Sequence, residues 1–387
     1  MQELSTSNTD RSDKVAKLVA FLKSNNSILP RKIVTAGFDG FIDTIAKVIK
    51  VKNGGRPSVL FTTIKEFGDY ITEKAGAGFS LELQEQNMKP GGNMPIMANA
   101  LGSLGVPVNC VGALGYPQAH PAFEPLSSNC HIYSFANPGT STAVEFHDGK
   151  MILGMMDSLH HAGWDSIKNI IGLDTLINLF KRSDLLCLVN WAEIDASSDI
   201  WKGILNEVLP AYQENPGKQP IFFDLSDLSK RSNEAILEAL ALLNEFTSYG
   251  KVIIGLNHNE AKLIAGTLNN DYPDSDLSSL GNIIFERLRP SILVLHSLKE
   301  TVAVDASGFV MSNTFFIDNP KISTGAGDNF NAGFCAAQLL ELDLDLSLVF
   351  ANAVAACYVK SGTSPGISDV ITFLEKYNPV KTNLSKR

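Results

Sequence analysis

Between Asp184 and Leu295 short apolar runs alternate with longer amphipathic stretches, and this rhythm restricts the possible folds more than any other feature of the chain. The runs 185–189, 221–223, 252–256 and 292–295 are too short for helices and too continuously apolar for strands with one wet face. Strands of this kind, separated by segments long enough to be helices, build a parallel sheet covered on both faces. The expected fold is therefore α/β, a central parallel sheet with helices on both faces. Polar groups that meet a ligand collect where such strands end, and Asn190, Asp224 and Asn257 fall there.

The first half of the chain fits the same frame. Ser12 precedes Val15, Leu18, Val19 and Leu22, which predicts a capped amphipathic helix on the outside of the domain. RKIVTAGFDGFID, 31–43, reads as a buried strand that breaks at Gly37 and Gly40 and delivers Asp39 and Asp43 to the ligand edge of the sheet. Residues 44–64 alternate around Asn53-Gly54-Gly55, a hairpin signal. A second pair, 142–146 and 151–155, is joined through His147-Asp148-Gly149-Lys150. The two hairpins predict one small β-sheet beside the core, within 44–64 and 140–156. Between them, Met94, Met97, Ala98, Leu101 and Leu104 form the core-facing stripe of a helix that begins just after Gly91-Gly92. With no internal repeat, low-complexity tract or interdomain linker, a single domain over 1–387 is expected, with 267–279 as an exposed loop.

Composition excludes some function classes. A formal charge of −9 and a pI of 5.3 argue against nucleic acid or an anionic membrane as the partner. No apolar run reaches the length of a membrane span, and MQELSTSNTDRSDK is too polar for a signal peptide, so a cytoplasmic location is expected. The five cysteines follow neither a disulfide nor a metal spacing, and the adjacent pair His160-His161 does not make a ligand set.

The stretch with the most chemistry is ISTGAGDNFNAGF, 322–334. Gly325 and Gly327 allow main-chain N–H groups to approach a ligand, and Phe330, Phe334, Ala337 and Leu340 recur at helical spacing. A glycine-rich turn at a helix N-terminus is an anion site. Two roles fit Asp328 there: it caps the helix, or it takes a proton from a hydroxyl beside a bound phosphate.

Thr324 to Asp328, followed by Phe330, Gly333 and Phe334, resembles the C-terminal signature of the ribokinase-like (PfkB) family of carbohydrate and nucleoside kinases. The resemblance implies that Gly325, Ala326, Gly327 and Asp328 form the phosphate cradle, with Asp328 as catalytic base and Thr324 beside the nucleotide. Gly91-Gly92-Asn93, in a segment that closes on Leu104-Gly105, is similar to the N-terminal signature that holds the acceptor, although Ile96 stands where many members have Asn; Asn93 or Asn99 could take over that contact. The F-I-D ending implies that Asp43 binds acceptor hydroxyls, with Asp39 in reserve. Asn257-x-x-Glu260 matches the family's Asn-x-x-Glu, which implies Mg2+ held near Glu260; Glu260 satisfying a helix N-terminus is the alternative. Asn352 and Gly362 are expected to border the nucleotide.

Departures are also legible. His296-Ser297-Leu298-Lys299-Glu300 replaces a Thr-x-Gly loop, so Lys299 is either a phosphate ligand or a solvated cation. Ile322 replaces an acidic residue in a region where some relatives bind a monovalent cation such as K+. The basic residue expected soon after Asp224 is displaced to Lys230 or Arg231.

The implied function is an ATP-dependent kinase transferring the γ-phosphate to a hydroxyl of a small sugar, with ATP and Mg2+ as cofactors and the β lid as a candidate homodimer surface. Two alternatives stay open: a nucleoside kinase of the same family, or a catalytically weak regulator that binds sugar or nucleotide.

Overall fold

In the computed structural model, which describes residues 2–54, 56–160, 162–212, 218–269 and 276–377, the segment 31–43 divides at Asp39 and Gly40 into strands of two different sheets. The strands are β1 (Val34–Phe38), β2 (Phe41–Asn53), β3 (Arg56–Leu60), β4 (Glu82–Gly91), β5 (Val108–Gly112), β6 (Cys130–Ser134) and β7 (Gly139–Phe146). They continue with β8 (Gly149–Met155), β9 (Leu185–Val189), β10 (Pro220–Asp224), β11 (Lys251–Asn257), β12 (Ile292–His296), β13 (Glu300–Asp305) and β14 (Gly308–Asn313).

The large sheet has the order β14-β13-β12-β11-β10-β9-β1-β5-β6. β6 through β12 pair in parallel, and β13 and β14 add an antiparallel edge. The order reverses beside β1, whose neighbours are β5 and β9, so the crevice for a ligand lies at the carboxyl ends of β1 and β9. The four strand segments expected from the sequence are all present, 185–189 with the same bounds and the other three extended by one or two residues.

Alternate strand residues feed two apolar layers. Leu185, Cys187 and Val189 face the layer built with the helices Asn93–Ser103, Ala326–Leu339 and Leu344–Ser361, while Leu186 and Leu188 face the layer of Trp201, Phe223 and Phe246. In the second layer Phe223 and Phe246 meet edge to face at 4.9 Å, and Trp201 meets Phe223 at 5.1 Å. Each such side chain contributes about 1.5–3 kcal/mol on burial.

The helix Leu344–Ser361 corrects one expectation. By length and composition it could cross a membrane, but it is largely buried, so it is a core helix.

The small sheet is centred on β2. β4 runs antiparallel along one edge of β2, from Phe41 opposite Gly91 to Ile49 opposite Glu82. β7 runs parallel along the other edge, from Phe41 opposite Gly139, with β3 continuing that edge and β8 pairing β7. β4 escaped the sequence reading because its first seven residues are exposed, so no apolar alternation marks it. Phe61, Phe67 and Phe146 pack this sheet against the helix Ile64–Glu73.

At the N-terminus the helix runs over Gln2–Ser24 and does not start at Ser12. Arg11 already docks it: its Nη2 donates to the carbonyls of Asn313 (2.9 Å) and Thr314 (3.2 Å), and its guanidinium lies over Phe315 at 4.6 Å. His161 and 270–275 of the predicted loop lie outside the described residues, as does Gly55; His160 lies 3.6 Å from Asp195.

Phe334, fully buried in the helix that carries the glycine-rich turn, sets that helix against the sheet. Phe334→Ala is expected to cost about 3–5 kcal/mol, read as a lower denaturant midpoint at unchanged slope. A loss below about 1 kcal/mol would mean that this contact does not seat the helix.

Candidate active site

β1 ends at Phe38, and the next residue, Asp39, is fully buried where the chain leaves one sheet for the other. A carboxylate without partners would not be tolerated there. Asp39 Oδ1 accepts from the amide of Met94 at 2.8 Å and Oδ2 accepts from Asn190 Nδ2 at 2.7 Å; the amide of Asn93 also donates to it. One side chain thus binds the ends of β1 and β9 to the first turn of the helix Asn93–Ser103. Burial still raises its pKa to about 7, against these hydrogen bonds.

The Gly91-Gly92 pair is explained by the two carboxylates. A Cβ on Gly91 would stand 2.5 Å from Asp43 Oδ2, and one on Gly92, at φ 91°, would collide with Asp39 Oδ2. Asp43 belongs to the small sheet, where Ser141 on β7 donates to its Oδ1 at 2.6 Å, and it is part-exposed. The two sequence candidates therefore differ in kind. Asp39 is a buried tie, and Asp43 is the carboxylate open to a ligand.

The helix Ala326–Leu339 begins at Gly325, at φ 90° and ψ 0°, and no side chain caps it. The Thr324 carbonyl accepts from the Tyr358 hydroxyl at 2.9 Å, and the Gly325 carbonyl accepts from Asn329 Nδ2 at 2.9 Å. With both carbonyls held from behind, and the Ala326 amide donating to the Ser323 carbonyl at 3.1 Å, the amides of Gly325 and Gly327 are left for an anion. A Cβ on Gly325 would lie 2.8 Å from the Tyr358 hydroxyl, so this turn also needs glycine for space. Burial, then the charge of Asp328, pushes the Tyr358 hydroxyl up to about 12 and keeps it a donor.

Asp328 sits in the first turn of that helix, part-exposed. Burial chiefly, then Asp224 and Asp39, raises its pKa well above the usual carboxylate value. Asp224 ends β10 and is held by the Ser226 amide (2.7 Å), by Asn331 Nδ2 (2.7 Å) and by the Asn93 side chain. Burial raises it to about 6. Asn93 therefore touches both carboxylates, its amide on Asp39 and its side chain on Asp224.

Asn257 and Glu260 form a capping box at the helix His258–Leu268: Asn257 Oδ1 accepts from the Glu260 amide at 3.0 Å, and Glu260 Oε2 accepts from the Asn257 amide at 2.9 Å. Glu260 is also buried, and burial, followed by Asp224 and Asp328, raises its pKa well above the usual value. No three His, Cys, Asp or Glu side chains among the described residues stand close enough to cage a metal directly. An oxygen-only set of crowded carboxylates around Glu260 and Asp224 fits a hard cation that keeps most of its waters.

Other candidates are placed differently. Asn352 is buried, with Nδ2 donating to Thr301 Oγ1 at 2.9 Å, and is not on an open surface. Gly362, at φ 80°, ends the helix Leu344–Ser361. Ile96 lies behind the glycine-rich turn, its Cγ2 3.3 Å from where a Gly325 Cβ would be. Asn99 does not take over its role, since it bonds Ser364 and the Ser127 amide. Lys299 is exposed, Lys230 pairs with Glu193, and Arg231 is bound to the carbonyls of Ala192 and Ile194. His296, under Gly327 and 5.0 Å from Phe330, is lowered to about 4 by burial and stays neutral.

Asn190 falls at a strand end as the sequence indicates, whereas Asn329, Asn331 and Tyr358 are the residues whose contacts at the site sequence reasoning missed. Asn329 and Asn331 carried a signal, as amides in an otherwise apolar helix beside Asp328; Tyr358, on a distant helix, carried none.

Since Asp39 and Asp224 have folded pKa values above the ordinary 3.8, the stability of their protonated forms is complete below that value and is lost as pH rises through about 6 to 7. Without ligands the melting temperature should fall between roughly pH 4 and pH 7, and Asp39→Asn, which cannot ionise, should flatten that fall. An unchanged slope in the variant would show that Asp39 does not titrate there.

Comparison with known proteins agrees with this geometry. The family model for prokaryotic ketohexokinase matches residues 16–377. A ketohexokinase of Haloferax volcanii is 27% identical over 355 residues, covering 90% of this chain and 93% of that protein. The ribokinase of Arabidopsis thaliana, solved with ribose and ATP, superposes with a TM-score of 0.63 at 17% identity, over 90% of this chain and 99% of that one. A nucleoside kinase of Methanocaldococcus jannaschii superposes with a TM-score of 0.55 at 15% identity, over 89% and 98%. The fold is thus common to sugar and nucleoside kinases.

Proposed function

The chain belongs to the prokaryotic ketohexokinase family and is a sugar kinase, and from that premise we propose that it transfers the γ-phosphate of ATP to a primary hydroxyl of a ketohexose. The observation that carries this reading is the uncapped turn Thr324–Asp328, whose carbonyls are held from behind and whose first helical turn bears a carboxylate of raised pKa.

Asp43, backed by Ser141, accepts hydrogen bonds from acceptor hydroxyls, and Gly91-Gly92 lets the acceptor lie against the strand end. Asp328 takes the proton of the reacting hydroxyl as its oxygen bonds to phosphorus and the bond to the ADP oxygen breaks. A carboxylate of raised pKa is a better base for an alcohol than an ordinary one. In the turn Gly325-Ala326-Gly327-Asp328 the amides of Gly325 and Gly327 take up the charge of the transferring group, while the Ala326 amide donates to the Ser323 carbonyl and shapes the turn. Asp224 and Glu260 are the residues that would hold Mg2+ through water, and that ion supplies charge neutralisation between the phosphates. Thr324 borders the phosphates. Asn190 and Asn331 orient Asp39 and Asp224.

The lid supports a dimer. Leu83, Met88, Leu153 and Met155 stand exposed on its face opposite Asp43, by strand alternation through the pairs Thr44–Met88 and Thr142–Leu153. Light scattering should give twice the monomer mass, and Leu153→Glu with Met155→Glu should return it to monomer; a monomeric parent protein would remove the proposal.

The function is tested by ADP release from Mg-ATP with a ketohexose, an aldohexose, ribose and nucleosides. The ketohexose should be preferred, and Asp328→Asn should lower kcat by about 10²–10⁴-fold while the protein still folds. Near-normal turnover in that variant would refute Asp328 as the base, and preference for a nucleoside would reassign the acceptor.

A further inference from the structure

Lys150 begins the second strand of the β7–β8 hairpin, in a stretch that reads from sequence only as a turn. Its ammonium nevertheless reaches out of the small sheet to Thr324 Oγ1, 3.2 Å away and 174 residues distant in sequence. Thr324 immediately precedes Gly325, so the contact lands at the mouth of the anion site.

Three features make this more than a surface contact. First, strand register puts Lys150 on the same lid face as Asp43: Asp43 pairs with Ser141, and Glu145, two positions further along that face, pairs with Lys150. The face that meets the acceptor at one end therefore carries an ammonium at the other. Second, the hairpin tip is fixed to the lid, with the His147 amide donating to the Thr62 carbonyl and the Ile64 amide to Asp148 Oδ1, each at 2.8 Å. Third, Lys150 has no acidic partner among the described residues; it lies opposite Glu145 on the sheet, yet its Nζ goes to Thr324.

The charge balance of the site gives this ammonium a task. Asp39, Asp224, Glu260 and Asp328 gather at one edge of the sheet, where burial raises the pKa of each and neighbouring carboxylates add to the rise at Glu260 and Asp328. A polyphosphate must enter that field. Of the basic residues that follow the strand ends, Lys230 pairs with Glu193, Arg231 donates to main-chain carbonyls, and Lys299 lies on the exposed turn after β12.

We propose that Lys150 is a catalytic residue carried by the lid, whose ammonium binds the transferring phosphoryl group opposite the first-turn amides of the helix Ala326–Leu339. This rests on the kinase reading above. During transfer the proton of the acceptor goes to Asp328 and the leaving oxygen stays with ADP, while Lys150 keeps its own protons and offsets charge on the phosphoryl oxygens. Because Lys150 and Asp43 move as one lid, phosphate charge is neutralised only when the lid lies over the acceptor.

The test compares Lys150→Ala and Lys150→Arg with Lys65→Ala, which removes an exposed lysine from the lid helix. Lys150→Ala should lower kcat by about 10²-fold, and Lys150→Arg should recover part of it. Affinity for a non-hydrolysable ATP analogue should fall about tenfold in Lys150→Ala, with ADP affinity unchanged, since only the analogue carries a γ-phosphate. Lys65→Ala should match the parent protein. Parental kcat and parental discrimination between analogue and ADP in Lys150→Ala would overturn the proposal, as would equal loss of both ligands without recovery in Lys150→Arg. The binding arm needs no turnover, so it still reads Lys150 if the acceptor assignment fails, whereas absence of sugar-dependent ADP release in the parent protein would refute the kinase reading.

Discussion

The buried carboxylate of Asp39 is the tie on which the rest of the site depends. It stands between the two sheets, and its hydrogen bonds to Asn190 and to the Asn93 and Met94 amides join both strands of the topological reversal to the acceptor-side helix. Hydrogen bonds to a charged group contribute about 1.5–3 kcal/mol each, and leaving one buried partner unsatisfied costs a similar amount. Few arrangements of β1, β9 and the helix Asn93–Ser103 satisfy all of these groups together. Asn93 then transmits the constraint to Asp224, and Asn331 transmits it from Asp224 to the helix bearing Asp328. The two signature segments, more than two hundred residues apart in sequence, are thereby set relative to each other by amide–carboxylate contacts.

This network has an electrostatic consequence. Carboxylates brought together out of water disfavour one another's ionised forms, and Asp328, the proposed base, stands in that field. Asp328 is part-exposed where Asp39 is not, so it can exchange its proton with a substrate while Asp39 and Asp224 act on it from behind. The same crowding would repel a nucleotide, so the uncapped helix end, the hydrated cation proposed near Glu260 and the ammonium proposed from the lid would belong to one charge balance.

Much of this could be read in the sequence, for local reasons. The parallel strands announced themselves through continuous apolar runs, and the glycine-rich turn through residues that only a close approach or a left-handed backbone requires. Asp328 and Gly91-Gly92 were singled out by the same logic. What stayed hidden depends on contacts between distant segments. Nothing local separates Asp39, which is buried, from Asp43, which is part-exposed; the distinction arises because the chain changes sheet between them. β4 was invisible because an exposed strand has no apolar period, and its pairing is decided by β2. Asn352 looked like a nucleotide contact, yet Thr301 claims its amide.

Asn257 and Glu260 show why a motif can be both structural and functional. The capping box alone accounts for their spacing, since each side chain satisfies the other's main-chain amide. A cap, however, does not require Glu260 to be buried beside Asp224 and Asp328, where its charged form is disfavoured. At an exposed helix end the same box would form without that cost. Burial of the cap among like charges is therefore the part that folding does not explain, and a cation at this edge of the sheet would offset it.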